Sequence, residues 1–215
     1  MDTNELNILM KSRADTYKLL ARLWIKEIDA PLWEGLKNTT FPNTQDLPNL
    51  NSAYQKLEAY IAAQNPNTLT ELKADYAALC ASADPKKGAD PYESVHRNSH
   101  GLLMQDQWET VLKFYRAAGL KRAPNSTEPE DHLGLELECM ARLCQMPVDQ
   151  RTIDMQTHLL KNHLLQWVPS FAKRVGDISN TEFYKALAII TDEYLKMDYE
   201  FVSGVIFSFQ SQFFS

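Results

Sequence analysis

Residues 182–201, EFYKALAIITDEYLKMDYEF, give the clearest structural signal in this 215-residue sequence. Apolar side chains recur every three or four positions and share one face of a helix: Phe183, Leu187, Ile190, Tyr194, Met197 and Phe201. Ser179 and Glu182 precede them with the spacing of a capping box, in which two side chains close the first turn of a helix. This stretch therefore predicts a long amphipathic helix near the end of the sequence.

The same spacing of apolar side chains continues towards the start of the sequence. Helices are predicted over residues 6–24, 50–61, 69–79, 104–115, 133–144 and 153–167, with a short helical piece at 31–36. Thr68 and Glu71 have the spacing of a second capping box. The sequence contains no stretch of strictly alternating polar and apolar residues, which is the pattern of a half-buried strand. The fold class predicted is all-α.

A break between residues 119 and 129 divides this helical pattern. It contains Pro124 and Pro129 and has no apolar periodicity. We predict a helical bundle in two parts joined by a Pro-containing hinge, with an N-terminal part at 1–122, the hinge at 123–130 and a C-terminal part at 131–215. Proline favours extended linkers, and an extended linker allows one part to pack on a neighbouring copy. The oligomeric state predicted is a monomer together with a domain-exchanged homodimer.

Residues 128–138, EPEDHLGLELE, place five carboxylates and a histidine at a predicted helix start. No Lys or Arg lies between Arg122 and Arg142 to balance them. A solvated helix face usually mixes both signs of charge. This acidic segment, as residues 128–138 are called below, therefore favours a role in binding a cation or a basic partner.

The charge distribution and composition exclude several classes of function. Residues 126–215 carry 7 basic and 13 acidic side chains, which accounts for the whole formal net charge of −6. Nucleic-acid binding is disfavoured, since phosphate contacts require a basic patch. The apolar runs are too short to span a membrane, and the N-terminus does not resemble a secretory signal. Three cysteines without CxxC spacing favour a reducing compartment, so a cytoplasmic location is predicted.

Enzyme motifs are scarce in this sequence. It has no phosphate-binding glycine loop and no GxSxG elbow. His96 and His100 lie beside Pro91 and Gly101, which argues against a continuous helix that could hold a metal. His158 and His163 are five residues apart, a spacing that suits no single face of an α-helix.

One metal-binding alternative stays open within the acidic segment. His132 and Glu136 are four residues apart and Asp131 is adjacent, so a metal-dependent helical enzyme using these three residues is an alternative. No matching ligand set on another predicted helix stands out. We therefore predict that the protein is not an enzyme and has no metal site.

Several motifs resemble the TorD/DmsD-type redox-enzyme maturation chaperones. Glu128-Pro129-Glu130-Asp131-His132-Leu133-Gly134 resembles that family's E-P-x-D-H motif and the helix after it. Residues 72–80, LKADYAALC, are similar to its L-x-x-[DE]-Y-x-x-L-F helix, with Cys80 where an aromatic residue is usual. Residues 91–95, PYESV, resemble its P-x-x-S-V segment, and residues 163–171 resemble its closing H-L-x-x-W-x-P-x-F segment. The resemblance spans nearly the whole sequence.

The resemblance implies a cytoplasmic chaperone with an all-helical fold in two parts, in which the E-P-x-D-H segment lies at the junction. Such proteins bind the apo catalytic subunit of a molybdenum-cofactor oxidoreductase, and often its twin-arginine signal peptide, before cofactor insertion and export. Some members exchange domains between copies. Some members interact with guanine nucleotide or with the molybdenum cofactor, although this sequence gives no independent sign of either. No cofactor of its own is therefore predicted.

Physical chemistry suggests which residues would bind such a partner. Guanidinium groups pair bidentately with carboxylates, so the acidic segment is the predicted contact for the two arginines. The apolar half of a signal peptide requires a groove. The complete predicted client-binding set is Glu128, Glu130, Asp131, His132, Glu136, Tyr76, Pro91, Tyr92, Val95 and Trp108. A helical adaptor without a peptide groove is the remaining alternative.

Overall fold

The computed structural model describes residues 3–42, 44–82, 87–98, 101–121 and 127–213, without the side chains of Thr3 and of 206–213. Across these residues the regular structure is helical, which confirms the predicted all-α class. The helices are α1 (Thr3–Ile25), α2 (Ala30–Lys37), α3 (Pro48–Ala62), α4 (Thr68–Cys80), α5 (Glu93–Arg97), α6 (Asp106–Ala117), α7 (Leu133–Cys144), α8 (Gln150–Leu159), a π-helical turn (Leu160–Leu164), α9 (Leu165–Ile178) and α10 (Glu182–Phe213).

Local side-chain contacts explain several helix starts. The Asp29 carboxylate accepts a hydrogen bond from the Leu32 amide at 3.0 Å and begins α2. Asp149 and Thr152 form a capping box at the start of α8. The two capping boxes predicted from sequence are wrong. Thr68 is already the first residue of α4, and Thr181, rather than Ser179, caps α10 by accepting from the Tyr184 amide at 3.4 Å.

The chain forms two compact units. The first contains residues 1–25, 92–167 and 195–215. Within it α1 packs along α7, and the two helices lie close together at Gly134. A Cβ atom built on Gly134 would lie 2.8 Å from the Ile25 Cβ, which is closer than side chains tolerate. Only glycine therefore allows these two helices to pack at this distance.

A buried ion pair ties α10 to the same unit. The Arg13 guanidinium donates to both carboxylate oxygens of Asp198 at 2.6 and 2.8 Å. The Tyr17 hydroxyl donates to Asp198 at 2.6 Å, and Arg13 also donates to the Gln156 side chain at 2.7 Å. All the side chains in this network are buried. A bidentate pair with additional hydrogen bonds satisfies both charges away from water.

The second unit contains residues 26–91 and 168–194. In this unit Asp75 on α4 is 3% exposed, and its carboxylate accepts several hydrogen bonds. The Asp75 carboxylate accepts from the Ser179 hydroxyl at 2.7 Å, the Thr181 hydroxyl at 2.6 Å, and the amides of Asn180 and Thr181 at 3.0 Å each. Asp75 thereby holds the turn from which α10 begins.

These units differ from the linear division at 1–122, 123–130 and 131–215 that the sequence suggested. The α1 helix shares a unit with α7, so residues from both sides of the predicted hinge pack together. Packing between helices distant in sequence leaves no local signal, which explains the difference. Residues 123–126 of the predicted hinge, with Pro124, lie outside the described residues.

Candidate functional site

The acidic segment is held in place by aromatic side chains of the first unit. The Tyr92 hydroxyl donates to Glu128 Oε2 at 2.5 Å, and the Trp108 indole donates to Glu130 Oε2 at 2.6 Å. The Tyr115 hydroxyl donates to the Glu130 carbonyl at 3.0 Å. Glu130 is 7% exposed, whereas Glu128 is half-buried. Of these two carboxylates, Glu128 is the one that reaches the protein surface.

Asp131 and His132 join this segment to the start of α5. The Glu93 amide donates to the Asp131 carbonyl at 2.9 Å, and the Ser94 amide donates to Asp131 Oδ2 at 2.9 Å. The His132 ring packs edge-on against Tyr92, with 5.0 Å between ring centroids. Asp131 thus caps the amide groups at the beginning of α5, with its side chain fully buried.

His132 caps α7 as a neutral ring. Its Nδ1 accepts from the Gly134 amide at 2.9 Å, so Nδ1 carries no proton. Burial lowers the pKa of His132 to about 4, opposed only weakly by the charge of Glu128. Both observations describe a neutral imidazole with a capping role. His132 therefore supplies the side-chain N-cap of α7.

Glu136, one turn into α7, is fully buried, and neither of its carboxyl oxygens has a hydrogen-bond partner. Burial raises the pKa of Glu136 well above its usual range, and the nearby Glu93 and Asp131 raise it further. The Trp167 indole is near enough to oppose this rise but meets no hydrogen-bond geometry with either oxygen. Burial and the neighbouring carboxylates thus favour the protonated form of Glu136.

Two further buried acceptors lie beside Glu136. Asp131 Oδ1 and the Ser94 hydroxyl oxygen also lack a hydrogen-bond partner. Burial raises the pKa of Asp131, although the hydrogen bond from the Ser94 amide opposes the shift. Buried polar groups in folded proteins are almost always bonded, so a cluster of unbonded acceptors calls for an explanation.

Glu93 completes this cluster and connects it to the π-helical turn. Its carboxylate is fully buried and forms an ion pair with Arg97. Glu93 Oε2 lies 2.9 Å from His163 Nδ1, within hydrogen-bond distance. Arg97 also donates to the Asn162 carbonyl at 3.0 Å. Sequence reasoning did not select Glu93 as a site residue. Its position one residue before Ser94, within the predicted P-x-x-S-V segment, was the available signal.

The structure brings together only part of the predicted client-binding set. Glu128, Glu130, Asp131, His132, Glu136, Tyr92, Val95 and Trp108 all belong to the first unit. Tyr76 and Pro91 belong to the second unit. Tyr76 lies 6.1 Å from Tyr184 between ring centroids and is half-buried, and Pro91 is buried.

A groove that the sequence did not predict lies between α6 and α8 and includes His163 of the π-helical turn. A cavity of about 820 Å³ is lined by α6 and α8 with Phe114, Met155, His158 and His163 among its residues. The rings of His158 and His163 are 5.6 Å apart between centroids, and His158 stacks on Phe114 at 5.4 Å. A π-helix bonds residues five apart, so it brings together two histidines whose spacing suits no face of an α-helix.

Other site types receive no support from the described part of the chain. Among those residues, no group of three or more His, Cys, Asp or Glu side chains is arranged to hold a metal ion. The helices that could be searched include none long and apolar enough to cross a membrane. Cys139 and Cys144 are buried, and burial raises the pKa of both thiols.

Comparison with known proteins identifies the family. The sequence profile of the nitrate reductase delta subunit family matches residues 43–173. The chaperone protein TorD of Vibrio cholerae is 30% identical over 208 residues, which cover 90% of this chain and 93% of that protein. The chain belongs to the TorD family of redox-enzyme maturation chaperones.

Other members match over similar lengths. TorD of Shewanella piezotolerans is 26% identical over 95% of this chain and 98% of its own length. A crystal structure of a proposed redox enzyme maturation protein from Archaeoglobus fulgidus covers 79% of this chain and 96% of its own, at 19% identity and a TM-score of 0.48. The TorD-family resemblance inferred from the sequence motifs is confirmed.

Proposed function

We propose that this TorD-family chain is a cytoplasmic chaperone for the apo catalytic subunit of a molybdenum-cofactor oxidoreductase. It binds a segment with two adjacent arginines followed by apolar residues, as in a twin-arginine signal peptide, and holds the client for cofactor insertion before export. The observation that carries this proposal is the group of buried acceptors without partners, formed by Glu136, Asp131 Oδ1 and the Ser94 hydroxyl oxygen.

A guanidinium group supplies what these acceptors lack. It presents five N–H donors in a planar fork and remains charged at all physiological pH values. Lysine offers a single ammonium and cannot bond two carboxylates in the same bidentate geometry. No Lys or Arg in the sequence between Arg122 and Arg142 competes for the acidic segment.

Access to the deeper carboxylates requires a local movement. Glu128 is half-buried and offers the first contact, whereas Asp131 and Glu136 are fully buried. Asp131 is bonded to the Glu93 and Ser94 amides at the start of α5, a helix of only five residues. Short elements with few contacts open at the lowest free-energy cost in a folded protein. Arginine binding therefore proceeds from Glu128 inwards to Asp131 and Glu136.

Titration calorimetry with synthetic peptides tests this function. The wild-type protein is titrated at two salt concentrations with a peptide that has two arginines before an apolar segment, and with the same peptide carrying lysines. We expect the arginine peptide to bind more tightly and the affinity to fall with salt. The double variant Glu130→Gln, Asp131→Asn should lose about 1.5–3 kcal/mol of binding free energy if the charge-assisted pair is desolvated.

Two results would contradict the proposal. One is equal binding of the arginine and lysine peptides, since the bidentate geometry would then contribute nothing. The other is unchanged affinity in a double variant whose circular dichroism and unfolding midpoint match those of the wild type. The variant Glu138→Gln is the matched control, because Glu138 belongs to the same segment but is exposed and lies 4.0 Å from Arg142.

A further inference from the structure

An exposed apolar loop precedes α6 in the first unit. It consists of Leu102, Leu103 and Met104, which are 54%, 48% and 52% exposed. Among the described large apolar side chains, the other exposed one is Ile8, which stands alone on α1. Single exposed apolar residues are ordinary on protein surfaces, whereas contiguous ones mark binding sites.

The backbone holds this apolar loop in an unusual conformation. Met104 has a φ of 54°, in the left-handed region that residues with a Cβ rarely adopt. The Gln105 side chain donates to the Leu103 carbonyl at 2.8 Å, which fixes the turn immediately before α6. Such strained residues persist when the surrounding structure enforces them, and they concentrate at functional sites.

Acidic side chains follow the apolar loop directly. Asp106 and Glu109 are exposed in the first turn of α6. Trp108, between them, donates to Glu130 in the acidic segment. Leu103 lies five residues from Trp108, so even a fully extended backbone separates them by no more than about 17 Å. The apolar loop is thus a near neighbour of the segment proposed to bind arginine.

The acidic segment and the neighbouring apolar loop correspond to the two parts of the client peptide, an arginine pair followed by apolar residues. We propose that the apolar loop is the docking surface for the apolar residues that follow the arginine pair of the client peptide. The inference rests on the proposed function. The arginines meet the acidic segment while the adjacent apolar residues cover Leu102, Leu103 and Met104. Methionine and leucine side chains adapt to apolar partners of varied shape, which suits a surface that binds different sequences.

The groove at Phe114 and Met155 is the competing location for the same apolar residues. It is concave and partly apolar, and its lining includes the cations Lys113 and Arg151 and the carboxylate of Asp154. The cations outnumber the carboxylate, which disfavours a peptide that carries an arginine pair. Beside the apolar loop, Glu109 pairs with Lys113 at 3.4 Å, whereas the Asp106 carboxylate is exposed, so the charge of Asp106 complements that peptide.

A thermodynamic cycle tests the docking surface. Fluorescence anisotropy measures binding of two labelled peptides, one with the arginine pair and apolar residues, the other with the apolar residues replaced by serine. Both peptides are titrated with three proteins: the wild type, the double variant Leu103→Ser, Met104→Ser (the loop variant), and the control Ile8→Ser. The loop variant should lose about tenfold or more in affinity for the apolar peptide, from the area it no longer covers. Its affinity for the serine peptide should match that of the wild type.

The outcomes separate this inference from the proposed function. If the wild type binds neither peptide, the proposed function and the docking surface both fail. If the wild type binds and the loop variant binds both peptides as tightly, only the docking surface fails. The docking surface also fails if Ile8→Ser lowers the affinity as much as the loop variant does. A further variant, Met155→Ser, alters the competing groove. If it abolishes the preference for the apolar peptide while the loop variant retains that preference, the docking surface fails as well. Circular dichroism of each variant confirms that the helices remain folded.

Discussion

Asp75 and Glu136 are both buried carboxyl groups on helices, yet their surroundings are opposite. Asp75 accepts four hydrogen bonds of 3.0 Å or less from residues 179–181. Glu136 accepts none that meets hydrogen-bond geometry. A buried carboxylate whose donors are supplied by the chain itself stabilises the fold, whereas one without donors costs stability. The comparison separates an acid that is bonded within the second unit from a buried acid without partners in the first, which we propose takes part in binding.

The largest expected effect is the loss of stability on replacing Asp75. Asp75→Ala leaves the amides of Asn180 and Thr181 and two hydroxyls without their acceptor. We expect a loss of about 3–5 kcal/mol in the free energy of unfolding, measured by urea denaturation. Asp177→Ala is the control, since Asp177 forms an exposed pair with Lys173 and should cost less than about 1 kcal/mol. If Asp75→Ala lowered the free energy of unfolding by no more than Asp177→Ala does, Asp75 would not have this structural role.

The next effect concerns acid stability, through His132. Its pKa is lowered to about 4 in the folded protein, so the unfolded chain binds a proton near pH 6.5 while the folded chain does not. The free energy of unfolding is therefore not reduced by His132 above pH 6.5. As the pH drops from 6.5 towards 4, the unfolded chain takes up a proton first, and the free energy of unfolding falls by about 3 kcal/mol in total.

His132→Asn tests this pH dependence without removing the helix cap. Asparagine is also a favoured N-cap residue but does not titrate. Free energies of unfolding measured from pH 4 to 7.5 should fall less steeply on the acid side for this variant than for the wild type. His158→Asn is the control on an exposed histidine. Equal slopes for wild type and His132→Asn would show that the buried ring is not the titrating group.

A smaller effect on stability is expected where α7 packs on α1. Gly134→Ala places a Cβ 2.8 Å from Ile25 and should cost about 1–3 kcal/mol by overpacking. Gly176→Ala in α9 meets no atom within 4 Å and should stabilise by up to about 1 kcal/mol, because alanine favours helix. Thermal denaturation of both variants checks this contrast. If both substitutions shifted the melting temperature in the same direction, this would contradict the close approach of α1 and α7.

The parts of this account that follow from local patterns could be predicted from sequence. The apolar period of residues 183–201 predicts α10, and the E-P-x-D-H motif identifies the acidic segment and the family. The role of Asp75 could not be predicted, because its donors lie more than a hundred residues further along the chain. The pairing of His158 with His163 depends on a π-helical turn, which apolar periodicity does not reveal.

The burial of the candidate site was also beyond sequence reasoning. Asp131 and Glu136 were expected to present charge to a partner, and the structure encloses both. Charge clusters in sequence do not report solvation, since burial depends on α5 and α7 coming together. We therefore propose that the acidic segment recognises a partner through buried acceptors that lack hydrogen-bond partners, rather than through an open patch of negative charge.

Glu136→Gln tests this central claim most directly, with calorimetric binding of the arginine-pair peptide measured in two buffers of different ionisation enthalpy. A protonated Glu136 that pairs with a guanidinium must release its proton, so the wild-type binding enthalpy should differ between the buffers. We expect Glu136→Gln to be at least as stable as the wild type at pH 7.5, to bind about tenfold or more weakly, and to lose this proton release. Wild-type affinity in Glu136→Gln, with the same buffer dependence, would show that Glu136 takes no part in recognition.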